Sequence, residues 1–159
     1  MDNLLKLLKQ DAMLTNEELA AMLDSNPSEI AAKIEEFERA GIIKGYSAII
    51  DEELADKDSV TAYIELKVTP KPDLGFDDIA GIIMQYPEVD SVFLMSGSYD
   101  LSVLVSGTNL RDIALFVAQR LSALDSVIST ATHFVLKRYK EKGIIFTQDN
   151  IDERGLVSP

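Results

Sequence analysis

Val89-Asp90-Ser91-Val92-Phe93-Leu94 and Leu101-Ser102-Val103-Leu104-Val105 are two apolar runs joined by Met95-Ser96-Gly97-Ser98-Tyr99-Asp100. Strand-forming runs linked by a polar stretch containing glycine predict a β-hairpin. On its N-terminal side, residues 60–68 alternate Ala62, Ile64, Leu66 and Val68 with Tyr63, Glu65 and Lys67, the period of a half-buried strand. Residues 76–85 carry Phe76, Ile79, Ala80, Ile83 and Met84 on one helical stripe, with Pro87 beyond its end. On the C-terminal side, residues 110–121 set Leu110, Ile113, Ala114, Val117 and Leu121 on a second stripe, and residues 127–139 read as a long last strand. The order β-α-β-β-α-β is that of a ferredoxin-like α+β domain. Both helices then cover one face of a four-stranded sheet. The other face needs a cover, and a second copy of the chain is the simplest one.

Upstream, residues 2–9 hold Leu4, Leu5, Leu7 and Leu8, a short amphipathic helix. Thr15-Asn16-Glu17-Glu18 is a capping box that opens a second helix, with Leu19, Ala20, Met22 and Leu23 on its inner face. Asp24-Ser25 breaks it. Asn26 then caps a third helix with Pro27 at its first position. Ile30, Ile34 and Phe37 line one face, and Gly41 stops it. With residues 42–50 as a following strand, this is the pattern of a winged helix-turn-helix, although spacing alone fits a generic three-helix bundle equally. Residues 51–58 are acidic and polar and read as a linker or exposed turn. The expected division is a winged helix-turn-helix over 1–50, a linker over 51–59, an effector-binding and oligomerisation domain over 60–142, and an edge strand and tail over 143–159. Residues 142–146 carry the expected edge strand, and 147–159 are expected to be loose or to reach over a neighbouring chain.

Composition narrows the function. The 159 residues hold no cysteine and one histidine, His133, which leaves little for a zinc site, thiolate chemistry or a histidine-based triad. No metal and no cofactor is expected. No apolar run approaches the roughly 20 residues of a membrane span, and no basic-plus-apolar leader opens the chain, so a cytoplasmic protein without a membrane partner is expected. The net charge is −12, from 15 basic and 27 acidic residues. Such a field repels phosphate, so any DNA binding must come from a local patch or from an assembly that presents several heads. The cluster Lys137-Arg138-Tyr139-Lys140 with Lys142 is one local patch. It reads as a balance for acidic neighbours or, in a minority reading, as a wrap-around DNA contact.

Two motifs carry a resemblance. Phe37-Glu38-Arg39-Ala40-Gly41-Ile42-Ile43-Lys44-Gly45-Tyr46 and Ser96-Gly97-Ser98-Tyr99-Asp100, in this order, resemble the end of the third helix and the G-x-Y-D turn of the leucine-responsive regulator/AsnC (Lrp/AsnC) transcription regulators. The likeness runs from about residue 4 to residue 140. It implies a winged helix joined to a ferredoxin-like (RAM-type) domain that dimerises through its sheets, with dimers assembling into tetramers or octamers. It also implies that an amino acid or related small metabolite binds between subunits near the turn. The departures fall in the head. Between Ser25 and Gly41 only Lys33 and Arg39 are basic, against Glu29, Glu35, Glu36 and Glu38. Met13 stands where the family has an arginine, and Asp24 stands where it has a turn glycine.

The candidate DNA contacts are Pro27, Ser28, Ala32, Lys33 and Glu36, with Glu29 on or near the same face. Ser28 can donate to phosphate or a base edge and Lys33 can pair with phosphate. The glutamates oppose both, so moderate to weak DNA affinity is expected. The candidate effector residues are Met95, Ser96, Gly97, Ser98, Tyr99 and Asp100, joined through the resemblance by Thr130 and Thr132. Gly97 is expected to supply backbone angles closed to other residues. Asp100 either takes a ligand's ammonium or locks the turn through its own backbone. Tyr99 reads as a packing residue and His133 as a surface or interface residue. An enzyme is not expected. Siroheme decarboxylase shares the two-domain plan, but its Arg/His-rich motif is absent from residues 93–100 here, and no nucleophile–base pair can be assembled. The rival reading is an effector-sensing subunit that does not bind DNA and modulates a sister regulator.

Overall fold

The computed structural model describes residues 1–146. They form two compact units, one of Met1–Ile49 with Lys140–Ile145, the other from Ile50 to Tyr139 with Phe146. The tail expected to be loose, residues 147–159, lies outside the described residues.

In the first unit, α1 (Asn3–Gln10), α2 (Asn16–Leu23) and α3 (Pro27–Arg39) begin where their caps dictate. The Asp2 carboxylate accepts from Leu4 N, the Thr15–Glu18 capping box is closed in both directions, and Asn26 accepts from Glu29 N. Asp24 takes the left-handed conformation (φ 51°) that ends α2, and Gly41 (φ 66°) follows α3. Leu4, Leu19, Ala20 and Ile30 form the core, flanked by Leu7, Leu8, Leu14, Leu23, Ile34 and Phe37. Met22, expected inside, is 58% exposed. At 100° per residue it falls about 160° from Ala20, on the far flank of the helix. The expected strand over residues 42–50 does not form: the segment pairs with no other strand among the described residues. The Tyr46 hydroxyl donates to Glu38 Oε1 at 3.0 Å, returning the segment to α3. A small hairpin of β5 (Lys140–Glu141) and β6 (Ile144–Ile145) completes the unit. Its turn, Lys142 (φ 47°) and Gly143 (φ 93°), has the paired positive φ of a type I′ hairpin turn.

The second unit opens with α4 (Glu52–Ala55), a single turn capped by Asp51 in the acidic stretch read as a linker. The sheet follows: β1 (Val60–Val68), β2 (Val89–Leu94), β3 (Leu101–Gly107) and β4 (Val127–Phe134), all antiparallel in the order β2-β3-β1-β4. Helix α5 (Asp77–Ile83) and helix α6 (Leu110–Phe116), extended by a π-turn at Val117–Leu121, cover one face. The buried layer is Ala62, Ile64, Leu66, Leu101, Val103 and Val105 against Ile79, Ile83, Ile113, Phe116, Val117 and Leu121. Four expectations change here. Leu110 and Ala114 are exposed while Phe116 is buried, because the inner stripe runs 113, 116, 117, 121 and the wider π-turn shifts its last member. Met84, one residue past α5, is 59% exposed. The last strand ends at Phe134 rather than running to residue 139, and the expected edge strand over 142–146 joins the small hairpin instead of the sheet. The cause is local: β1 begins at Val60, so after the Val135 N bond to Thr61 O, β4 has run out of partner.

Candidate functional site

The hairpin turn is tied to the sheet by one residue. Met95 N donates to Asp100 O at 2.8 Å and closes the turn. Asp100 N donates to Leu66 O at 2.9 Å, and Asp100 Oδ2 accepts from Val68 N at 2.9 Å. That second bond falls where the β1–β4 register slips between Lys67 and Val68, so the carboxylate closes the end of β1. Of the two roles open to Asp100, the structure displays the lock. Gly97 corrects an expectation. It has no positive φ, because a six-residue turn spreads its reversal over several residues. A Cβ built on it would meet nothing within 4 Å. What Gly97 contributes is an unobstructed backbone. Met95, Ser96 and Ser98 are exposed beside it, while Tyr99 and Asp100 are half-buried.

Thr130 and Thr132 are half-buried on the edge strand β4. Thr130 pairs with Leu66 and Thr132 with Ile64, so both stand on the helix-covered side of the sheet. Leu66 pairs with Leu101 on its other flank, so Thr130 lies two strand spacings, about 10 Å, from the base of the turn. Thr132 is two residues further along. The register therefore brings Thr130 to the same end of the sheet as residues 95–100 and leaves Thr132 more distant. The contribution of β1 was invisible in the sequence, since Leu66 and Val68 serve the turn through backbone groups that carry no sequence signature. The opposite sheet face carries Tyr63 (47% exposed), Phe93 (54% exposed), Glu65 and His133, with His133 Nε2 3.6 Å from Glu65 Oε1.

In the head, Pro27, Ser28, Ala32, Lys33 and Glu36 are all exposed on α3, together with Glu29. Lys33, the expected phosphate partner, is paired with Asp2 at 2.8 Å and lies 5.8 Å from the centre of the Phe37 ring. Its ammonium, first, and the Leu4 N–H hold the Asp2 carboxyl below its ordinary value of 3.8. Arg39 pairs with Glu35 at 3.1 Å, and Ser25 Oγ donates to Glu29 Oε2 at 2.9 Å. Both cations of the third helix thus already face carboxylates. The basic cluster is partly engaged too: Arg138 lies 3.5 Å from Glu52, whose carboxylate also accepts from Thr61 Oγ1 at 3.4 Å.

Comparison with known proteins identifies both parts. Residues 61–145 match the Lrp/AsnC ligand binding domain, and residues 3–44 match a winged helix-turn-helix DNA-binding domain. The chain belongs to the Lrp/AsnC family of transcriptional regulators. It is 44% identical over 157 residues, 98% of this chain and 95% of the relative, to an uncharacterized HTH-type transcriptional regulator, YugG, of Bacillus subtilis. It is 24% identical to the leucine-responsive regulatory protein of Salmonella typhimurium over 87% of this chain and 84% of that protein. Among solved structures it resembles a Neisseria meningitidis transcriptional regulator in complex with L-Met, with 27% identity, a TM-score of 0.72, and coverage of 89% of this chain and 93% of the other. The ferredoxin-like architecture read from the element order is that of this Lrp/AsnC protein. No helix among the described residues is long and apolar enough to cross a membrane, and no group of three or more metal-ligating side chains occurs among them.

Proposed function

We propose that this Lrp/AsnC regulator binds DNA through α3 and senses an amino acid or related small metabolite at the residue 95–100 turn. The observation that carries the reading is the turn itself, an exposed run with open backbone at Gly97, pinned to β1 by Asp100 at the same end of the sheet as Thr130. Free backbone N–H groups suit a carboxylate, and the threonine hydroxyl adds a polar contact. The L-Met held by the Neisseria relative supports an amino acid as the ligand class. Met95, Ser96, Gly97, Ser98, Tyr99, Asp100, Thr130 and Thr132 are the proposed effector residues, and Pro27, Ser28, Ala32, Lys33 and Glu36 the proposed DNA contacts. The proposed division at residues 1–50, 51–59, 60–142 and 143–159 gives these roles to separate parts of the chain, with Lys140–Ile145 packing in the first unit rather than with residues 60–139. The reading is of a cytoplasmic regulator, not an enzyme.

Sensing and binding are linked through assembly in this reading. The uncovered sheet face, with Tyr63 and Phe93 exposed, suits a second copy of the chain, and dimers would build tetramers or octamers. A metabolite acts only if it binds one assembly state more tightly than another. The pairing of Lys33 with Asp2 and of Arg39 with Glu35 favours a second reading, a subunit that senses effector and modulates a basic-headed sister regulator without binding DNA itself. Fluorescence anisotropy on the chain's own upstream DNA, across a salt series and with each amino acid added, separates the two. Salt-sensitive binding shifted by one amino acid supports the first. Absence of binding at low salt, restored by a co-assembled paralogue, supports the second.

A further inference from the structure

The first unit is acidic, with five basic and nine acidic side chains in Met1–Ile49, yet one cleft in it is lined by lysines alone among charged residues. Lys6, Lys9 and Gln10 of α1, Met1, and Lys142, Gly143 and Ile144 of the small hairpin line an open cleft of about 450 Å³. Lys6 and Lys9 are three apart on one helix and so share a face. Among the described residues, Lys6 Nζ donates to Asn3 Oδ1 at 3.1 Å on this face. Among the described residues none of the three lysines forms an ion pair. Of the carboxylates on or beside α1, Asp2 pairs with Lys33 and Asp11 accepts from Met13 N. Three ammonium groups around one cleft repel one another, and among the described residues no carboxylate pairs with any of them. Lys142 also holds a left-handed φ of 47° at a turn position that favours asparagine or glycine, so a charged side chain is kept at the cleft at a conformational cost.

We propose that this cleft is a binding site for phosphate groups, with Lys6, Lys9 and Lys142 as its ligands. Ammonium groups are compact point charges with three donors each, suited to phosphate oxygens approached from several directions. The phosphates are either those of a DNA backbone, in which case the site supplies the positive charge that α3 lacks and the inference rests on the DNA-binding reading above, or those of a free phosphorylated small molecule.

The test uses the full-length chain and its K6Q/K9Q/K142Q variant, with K6R/K9R/K142R to retain charge and K57Q as a surface control, each checked for native circular dichroism. One arm follows anisotropy on a 30-base-pair duplex from 50 to 200 mM salt, and the other follows calorimetric titration with inorganic tripolyphosphate. If DNA is the source, the glutamine variant's slope of log affinity against log salt falls by about 0.9 for each phosphate given up, so for three phosphates the wild type loses about 40-fold more affinity over that range than the variant. The arginine variant and K57Q retain the wild-type slope. If a free phosphate compound is the source, tripolyphosphate binding drops at least tenfold in the glutamine variant while the DNA slope is unchanged. A wild type that ignores DNA but binds tripolyphosphate through these lysines removes the DNA reading and leaves the site standing. DNA binding with an unchanged slope in the variant and no lysine-dependent tripolyphosphate binding overturns the site and leaves the DNA reading intact. A wild type that binds neither probe overturns both.

Discussion

Replacing Asp100 by alanine should destabilise the second unit by about 2 kcal/mol. The bond lost is the one from Val68 N to Asp100 Oδ2, 2.9 Å long. Val68 is only 4% exposed, so water does not readily replace the carboxylate, and an orphaned buried N–H costs about 1–3 kcal/mol. D100N keeps a carbonyl oxygen in the same place without the charge, and charge-assisted bonds are roughly twice as strong as neutral ones, so it should cost about 1 kcal/mol. For a domain of this size the alanine loss corresponds to a melting temperature lower by about 10 °C. Urea unfolding followed by circular dichroism reads both values, with protomer concentration held fixed because an oligomer's stability depends on it. A D100A value within about 0.5 kcal/mol of wild type, the range of an ordinary surface substitution, would refute the lock. The pair also separates the two roles of Asp100. If D100N costs little stability but abolishes the amino-acid response, the carboxylate serves the ligand.

Further predictions concern glycines, charge and the third helix. Gly97→Ala should leave stability within about 0.5 kcal/mol, since its Cβ meets nothing within 4 Å, yet weaken amino-acid binding in calorimetry if a ligand packs on that backbone. Gly107→Ala places a Cβ 3.0 Å from Ile113 Cγ1 in the core and should cost about 1–3 kcal/mol in the same urea assay. The Asp2 carboxyl titrates below 3.8 when folded, so its stabilising contribution is complete above the unfolded value and is lost as pH falls through the folded one. Lys33→Gln should raise that carboxyl towards 3.8, read by carbon-detected NMR titration. Glu36→Lys, at an exposed position of α3, should strengthen DNA binding and steepen its salt slope by about 0.9. An unchanged slope would count against docking through this helix.

Much of the fold was legible because it rests on short-range rules. The caps at Thr15 and Asn26 act within three residues, and the alternation of Ala62, Ile64, Leu66 and Val68 names the buried side of β1 without a partner in view. The turn at residues 95–100 was recognised from its residue types, but the backbone angles expected of Gly97 were not those the turn adopts. Side chains on the flank of a stripe were misjudged for a similar reason. Met22, Met84 and Leu110 lie at the edge of their helical stripes, and whether such an edge is covered depends on what packs beside it.

Local patterning by itself thus determined the three helices of the head, the β-α-β-β-α-β order of the second unit, the polar turn and the acidity of the third helix, since each follows from the chemistry of adjacent residues or a fixed period; the segment over 42–50, α4 and the small hairpin did not follow from it. Tertiary structure alone decided who meets whom. Asp100 reaches Val68, Lys33 is drawn to Asp2 on another helix, and Lys142 joins Lys6 and Lys9 at one cleft from the far end of the described chain. Those pairings are set by how strands register and helices pack, and a carboxylate or an ammonium carries no mark in the sequence of the distant group it will face.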